Sequence, residues 1–315
     1  QAALEEGMSP EEAERYFYGM VEDIVREFAL MAKLKGTAHV VSYEDHEVLH
    51  HREAIGRDIL IRMEELTPLL AYAYANPFTR RDIIRLGIHI CHSLELCQKY
   101  NIIHRDIKPE NIFVSKNGDF KLGDFGVARV AEKTISAMSR KGTYNYMAPE
   151  VYKGQEYGYT ADLYSLGLVL YRFLNDNRTP FLPPYPQRIQ YSDKEQALNN
   201  RMAGKPIPAP VHGSKGLQEV VLKACAFQPG DRYASAEEMG RALSGLWMEA
   251  GAVREEAARQ EREAEEARLR EEAARQEREA EEARLREEAA RQEREVEEAR
   301  VREEAARQEK EAEEA

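Results

Sequence analysis

The chain has 315 residues, with 45 Lys and Arg against 57 Asp and Glu, for a formal net charge of −12. Residues 254–315 hold 24 Glu against 15 Arg and Lys, so most of the acidity belongs to that tail and the first 253 residues sit near neutrality at −3. A body of that charge argues against generic binding to nucleic acid or to anionic membrane, since both want a basic surface.

Ser9-Pro10-Glu11-Glu12 reads as a capped helix start, with Ser at the N-cap, Pro at N1 and Glu at N3. Phe17, Met20, Val21, Ile24, Val25, Phe28 and Met31 follow at helical spacing until Gly36 stops the run. Two strand-like runs come next, Val40–Tyr43 and Asp58–Met63, and then a second long helix over Arg81–Tyr100. Ile112–Val114 and Phe120–Leu122 predict two strands around a two-residue Asn117-Gly118 turn. From Ala161 the pattern is helical almost throughout, broken by the proline-rich loop Thr179–Pro186, and the body's last helix is expected over Ala236–Trp247 with Gly251 as a boundary. The longest apolar run, Leu163–Tyr171, falls short of the roughly 20 residues a bilayer span needs. The acidic N-terminus lacks the apolar core of a signal peptide. Cys91, Cys97 and Cys225 form no Cys-x-x-Cys pair, which argues against a disulfide scaffold or zinc knuckle and points to a reducing, cytoplasmic setting.

The tail is an internal repeat: the sixteen residues Arg254–Leu269 recur from Arg270 and Arg286, and incompletely from Arg302. At about 100° per residue each copy is rotated by roughly 160°. Leu269, Leu285 and Val301 therefore point to different sides, unlike a heptad seam. Glu255–Arg259, Arg259–Glu263, Arg262–Glu266 and Glu266–Arg270 are opposite charges four apart, each pair supporting a helix by about 0.2–0.5 kcal/mol. The pattern suits an isolated, solvated helix acting as a spacer; a weak coiled coil, and so weak self-association, is the alternative.

Chemistry concentrates in His104-Arg105-Asp106-Ile107-Lys108-Pro109-Glu110-Asn111, then Asp124-Phe125-Gly126, then Gly142-Thr143-Tyr144-Asn145-Tyr146-Met147-Ala148-Pro149-Glu150. With these three motifs in order, residues 10 to 248 resemble eukaryotic-type protein kinases of the serine/threonine class. The residues support that likeness on chemical grounds. Phosphoryl transfer needs positioning and charge neutralisation more than covalent help. A carboxylate at Asp106, on a loop before a short strand, could orient a hydroxyl and accept its proton. Lys108, two residues on in an extended loop, would face the same side and neutralise the transferring phosphate. Asn111 and Asp124 offer the neutral and anionic oxygens that Mg2+ prefers.

The resemblance implies further roles. Met63, Glu64 and Leu66 are similar to the gatekeeper and hinge that meet the adenine of ATP. Glu27 corresponds to the helix Glu that pairs with a strand lysine. Thr143 resembles the threonine that bonds the catalytic Asp and Lys in the serine/threonine group. Arg105 implies a switch that pairs with a phosphorylated activation loop, for which Thr134, Ser136 and Ser139 are candidate sites. Asp162 would hold the catalytic loop, Glu150 and Arg232 would form a buried ion pair, and His104, Phe125 and Met31 a stack joining two lobes. The implied fold is α+β and two-lobed: residues 1–248 as kinase domain, with 1–66 a partial N-lobe and hinge and 67–248 a mostly helical C-lobe, followed by the 249–315 helical tail. The implied substrates are ATP, with Mg2+, and proteins bearing Ser or Thr.

The sequence departs from the family in one respect. Before Glu27 there is no Gly-x-Gly, and no lysine precedes Lys33. Two readings compete. In one, the glycine-rich loop and strand lysine lie upstream of Gln1 and the 315 residues alone are inactive. In the other, the chain is a kinase-like scaffold whose tail does the work; the joint presence of Asp106, Lys108, Asn111 and Asp124 favours the first. His89, Cys91, His92 and Cys97 crowd one helix, but the two cysteines do not converge with the histidines, so a packed core helix is expected there rather than a metal site.

Overall fold

The computed structural model of this protein describes residues 9–34, 36–50, 57–125 and 143–313. The chain divides into two units, Gln1–Ala250 and Gly251–Ala315.

In the first unit, α1 (Pro10–Lys33) opens on the expected capping box: the Glu12 N–H donates to Ser9 Oγ at 3.3 Å and the Ser9 N–H to Glu12 Oε2 at 2.9 Å. Its buried Phe28 stacks on Tyr43 with centroids 5.0 Å apart, tying the helix to the strands beside it. β1 (Tyr43–His50) and β2 (Arg57–Met63) pair antiparallel. The first strand thus begins where the apolar run Val40–Tyr43 ends. Val40 makes only an isolated parallel bridge to Leu122, and the Val41 N–H donates to Leu122 O at 2.9 Å. The two buried valines mark where the chain docks, not where it pairs with its neighbour.

β3 (Thr67–Pro68), β4 (Ile112–Val114) and β5 (Phe120–Leu122) form a second antiparallel sheet in that order. β4 and β5 lie where their alternating burial predicts, but five residues connect them instead of two. The Gly118 N–H closes a turn on Ser115 O at 2.9 Å, the Ser115 N–H reaches Asp119 O at 2.9 Å, and Gly118 takes the positive φ of 82°.

α2 (Leu69–Ala75) leads to α3 (Arg80–Lys99), which starts on a second capping box, Thr79 with Asp82. α3 packs on β5 and on α5 (Thr160–Phe173). In α5 every residue from Ala161 to Tyr171 is buried, the signature of a helix enclosed on all sides. α4 (Pro149–Tyr152), α6 (Tyr191–Met202) and α7 (Lys215–Ala224) follow from the same core. α7 approaches α5 at Gly167, where a Cβ would stand 2.7 Å from Cys225 Sγ and 2.9 Å from Ala224 Cβ. The last helix, α8 (Ala236–Glu313), buries Ala236, Met239 and Leu243 in the core, and Arg81 lies 4.1 Å over the Trp247 ring.

Gly251 does not interrupt α8, although its helix was expected to end at Trp247. One interior glycine costs only about 1 kcal/mol, and the Ala, Glu and Arg that follow are strong helix formers. In the second unit the described apolar residues face solvent, with Leu269 54% and Val301 55% exposed. Arg259–Glu263 and Arg270–Glu266 form the expected i,i+4 pairs, while Glu266 takes Arg270 in place of Arg262. The side chain of Glu255 lies outside the described residues. Among the described residues no helix is long and apolar enough to cross a membrane.

Candidate active site

The site is built on the irregular stretch between α3 and β4 and on the end of β5. Ile102, His104 and Ile107 are buried and pin the loop, with the Asp106 side chain only 11% exposed between them. Arg105 (φ 68°) and Asp124 (φ 60°) both take the left-handed conformation. This costs a non-glycine residue of the order of 1–2 kcal/mol, a strain that clusters at functional sites.

Three groups hold this backbone. The buried Asp162 of α5 accepts the His104 N–H on Oδ2 and the Arg105 N–H on Oδ1, both at 2.8 Å. His104 Nε2 donates to the Gly123 carbonyl at 3.0 Å, and its ring meets Phe125 edge-on at 4.9 Å. The Gly123 N–H donates to Asn111 O at 2.9 Å. The loop of Asp106 and the strand end of Asp124 are therefore locked together through Gly123, and a Cβ there would stand 2.8 Å from Val41 Cγ2 and 2.9 Å from Phe113 Cε2.

Asp106 is the focus of the side chains. Lys108, in extended backbone (φ −154°, ψ 163°), places Nζ 2.7 Å from Asp106 Oδ2. Asn111, buried in the 3-10 turn Pro109–Asn111, donates from Nδ2 to Asp106 O at 2.8 Å and to Oδ2 at 3.0 Å. Both neighbours engage Oδ2, which leaves Oδ1 and the Asn111 amide oxygen without a hydrogen bond among the described residues.

Glu64 follows β2 and turns its carboxylate inward. It accepts the Ser42 N–H at 2.5 Å and both oxygens take Lys121 Nζ, at 2.8 and 2.9 Å. Met63 is 47% exposed and Leu66 half-buried. Sequence reasoning missed Lys121 and Gly123. The available signal for Lys121 was its place between the buried Phe120 and Leu122, which leaves it on the opposite face of β5.

Away from Asp106, the Arg232 side chain is fully buried. It grips Glu150 with Nη1–Oε1 at 2.6 Å and Nη2–Oε2 at 2.8 Å, and also donates to the carbonyls of Ala226, Thr160 and Phe227. Arg105 stays exposed, its guanidinium 5.4 Å over the Tyr157 ring. Glu27 and Met31 lie on α1 and Thr143 in a short 3-10 turn, but their side chains are outside the described residues, as are Thr134, Ser136 and Ser139 altogether.

Of the cluster on α3, Cys91 and Cys97 are buried in the core, His89 is half-buried and His92 is exposed. His39 and His89 stack at 4.0 Å, and the Phe120 N–H donates to His89 Nδ1 at 3.1 Å. Burial, then the neighbouring His39, lowers His89 to about 4. Burial, then Asp162, pushes the Cys97 thiol up to about 12. Among the described residues no three or more His, Cys, Asp or Glu are placed to hold a metal.

A family model for the protein kinase domain matches residues 8–243. Serine/threonine-protein kinase PknB of Mycolicibacterium smegmatis is 34% identical over 191 residues, covering 55% of this chain and 29% of that protein. A probable serine/threonine-protein kinase of Streptomyces coelicolor is 28% identical over 233 residues, 69% of this chain and 33% of its own. Tyrosine-protein kinase MasK of Myxococcus xanthus is 33% identical over 165 residues, 50% of this chain and 24% of its own. The chain spans a third or less of the length of these relatives.

Proposed function

Because this chain belongs to the protein kinase family, we propose that it carries the acceptor side of a phosphotransferase that moves the γ-phosphate of ATP to Ser or Thr hydroxyls of proteins. The observation that carries this is the convergence of Lys108 and Asn111 on one oxygen of Asp106. That arrangement fixes the carboxylate and leaves Oδ1 for the acceptor. The hydroxyl oxygen attacks the γ-phosphorus, its proton passes to Asp106, and the bond to the β-phosphate oxygen breaks to release ADP. Lys108, 2.7 Å from Asp106, supplies a positive charge where negative charge gathers on the transferring group.

Asn111 and Asp124 suit Mg2+. The Asn111 amide nitrogen is spent on Asp106, which leaves its neutral oxygen to accept, and Asp124 adds an anionic one on the adjoining strand end, a donor set of the hard kind this ion takes together with nucleotide phosphates. When bound, the ion supplies charge neutralisation of the phosphates. Met63, Glu64 and Leu66 are the adenine-side segment, and the Lys121–Glu64 pair supports that reading by clamping the segment to β5. Glu27 is the partner for a strand lysine. Thr143 bonds the catalytic pair, and Arg105 answers phosphorylation at Thr134, Ser136 or Ser139. Residues 1–248 act as the kinase domain and 249–315 as a helical spacer, in a cytoplasmic protein. The names of the relatives from Mycolicibacterium and Streptomyces favour serine and threonine, and Lys108 favours the same class.

The test is Asp106→Asn in a protein that also carries a glycine-rich loop and strand lysine. Nucleotide affinity is expected to stay within a few-fold while transfer falls by about 10²–10⁴-fold. Turnover within a factor of two of the parent would remove Asp106 from the chemistry.

A further inference from the structure

Two buried arginines act on the same tyrosine and differ in one respect. Arg232 lies 4.7 Å over the Tyr164 ring and has its carboxylate, Glu150. Arg201 of α6 is only 4% exposed, and it acts on the Tyr164 hydroxyl both through its charge and through a side-chain hydrogen bond. It has no carboxylate partner among the described residues. Its Nη2 donates to the Tyr144 carbonyl at 2.8 Å, while Nη1 is buried with no hydrogen-bond partner. A lysine so placed could shed its proton, but a guanidinium stays charged. A buried charge without a counter-charge is costly.

Arg201 lines a cavity of about 180 Å³ with Tyr164, Lys205, Ile207, Cys225 and Phe227. No acidic residue lines it. Lys205 is exposed, and Lys153 Nζ sits 4.6 Å over the Phe227 ring. Burial raises the Cys225 thiol to about 12, so it brings no negative charge of its own. A single water, which occupies about 30 Å³ in the liquid, would satisfy Nη1 but would leave both the charge and most of the cavity unfilled.

We propose that the cavity between α5, α6 and α7 is a site for a small free oxyanion of the phosphate class, held by Arg201 with Lys205 beside it. Through Nη2 the same guanidinium grips the Tyr144 carbonyl, five residues before Pro149-Glu150. Occupancy of the cavity therefore bears on the segment that follows the phosphosite region. The site uses no residue of the phosphoryl-transfer centre.

Thermal unfolding of the whole chain, without nucleotide or Mg2+, tests this when potassium phosphate is compared with potassium chloride and acetate at matched ionic strength. A saturable rise in Tm of several degrees is expected with phosphate alone. Lys205→Gln should need several-fold more phosphate for the half-maximal shift, and Arg201→Met should lose the shift. If Arg201→Met does not fold, Lys205→Gln decides, read both by Tm and by 31P line broadening. Phosphate acting no better than chloride, an undiminished shift in Arg201→Met, or an unchanged midpoint in Lys205→Gln would each overturn the site.

Discussion

The Glu150–Arg232 pair offers the sharpest test of what holds the catalytic unit together. Its side chains are 5% and 0% exposed, and the guanidinium spends its donors on two carboxylate oxygens and three carbonyls. Glu150→Ala would leave a fully buried cation facing only carbonyl dipoles. Arg232→Met would leave a buried carboxylate and three carbonyls that lose a donor. Breaking a buried pair from one side costs about 3–5 kcal/mol, against a total stability of about 5–15 kcal/mol for a domain. At about 2–4 °C per kcal/mol for a unit of this size, each single change should lower Tm by roughly 6–20 °C. The double variant should cost clearly less than the two singles together, because neither charge is then left alone. Urea unfolding of the four proteins of the cycle measures this directly. Single costs below about 1 kcal/mol, or strict additivity, would refute the argument that charge compensation dominates here.

The histidine stack predicts a pH dependence of definite sign. His89 is lowered from 6.5 to about 4 and His39 is lowered too, both chiefly by burial. Their neutral forms are the native ones, and their contribution is full above about pH 6.5 and lost as pH falls toward 4. Asp119 opposes the shift, whereas Arg85, Lys121 and His92 favour it. With partial solvent exposure discounted, the loss for His89 is of order 1 kcal/mol, and His89→Gln should flatten urea stability across that window. For the tail, a peptide of residues 254–315 should be helical and monomeric, with ellipticity falling as salt rises; sedimentation as a stable dimer at micromolar concentration would restore the coiled coil. Gly167→Ala should cost about 1–3 kcal/mol by overpacking against Cys225 and Ala224; a neutral result by thermal unfolding would show that α5 and α7 can separate cheaply.

Local signals were legible in the sequence and long-range ones were not. The capping box at Ser9 and the strands at residues 112–114 and 120–122 depend on neighbours along the chain, and they form where their patterns predict. The first strand was misplaced because Tyr43–His50 is largely polar, and its pairing rests on β2 while the apolar valines before it dock on β5. The turn after Val114 was misread because Ser115 and Asp119 close a longer loop around Asn117-Gly118. Within the site, Asp106 and Lys108 are two residues apart, so an extended loop already predicts that they meet, whereas Asn111 reaches Asp106 from the 3-10 turn Pro109–Asn111, which no local pattern announced. The grip of Asp162 on His104 and Arg105 spans 58 and 57 residues, and only the family likeness pointed to it. Lys121 on Glu64, His39 on His89 and Arg201 on Tyr144 join residues 50 to 57 apart. No local pattern announces such contacts.

The most direct test of the proposed activity is the fate of the label from [γ-32P]ATP, with Mg2+ and a protein substrate, using a protein that carries these residues together with a glycine-rich loop and strand lysine. Phosphoamino-acid analysis should find the label on serine or threonine, and Asp106→Asn should remove nearly all of it. Label confined to tyrosine would contradict the acceptor class. Equal label with Asp106→Asn would contradict the role assigned to Asp106, on which the proposed chemistry rests.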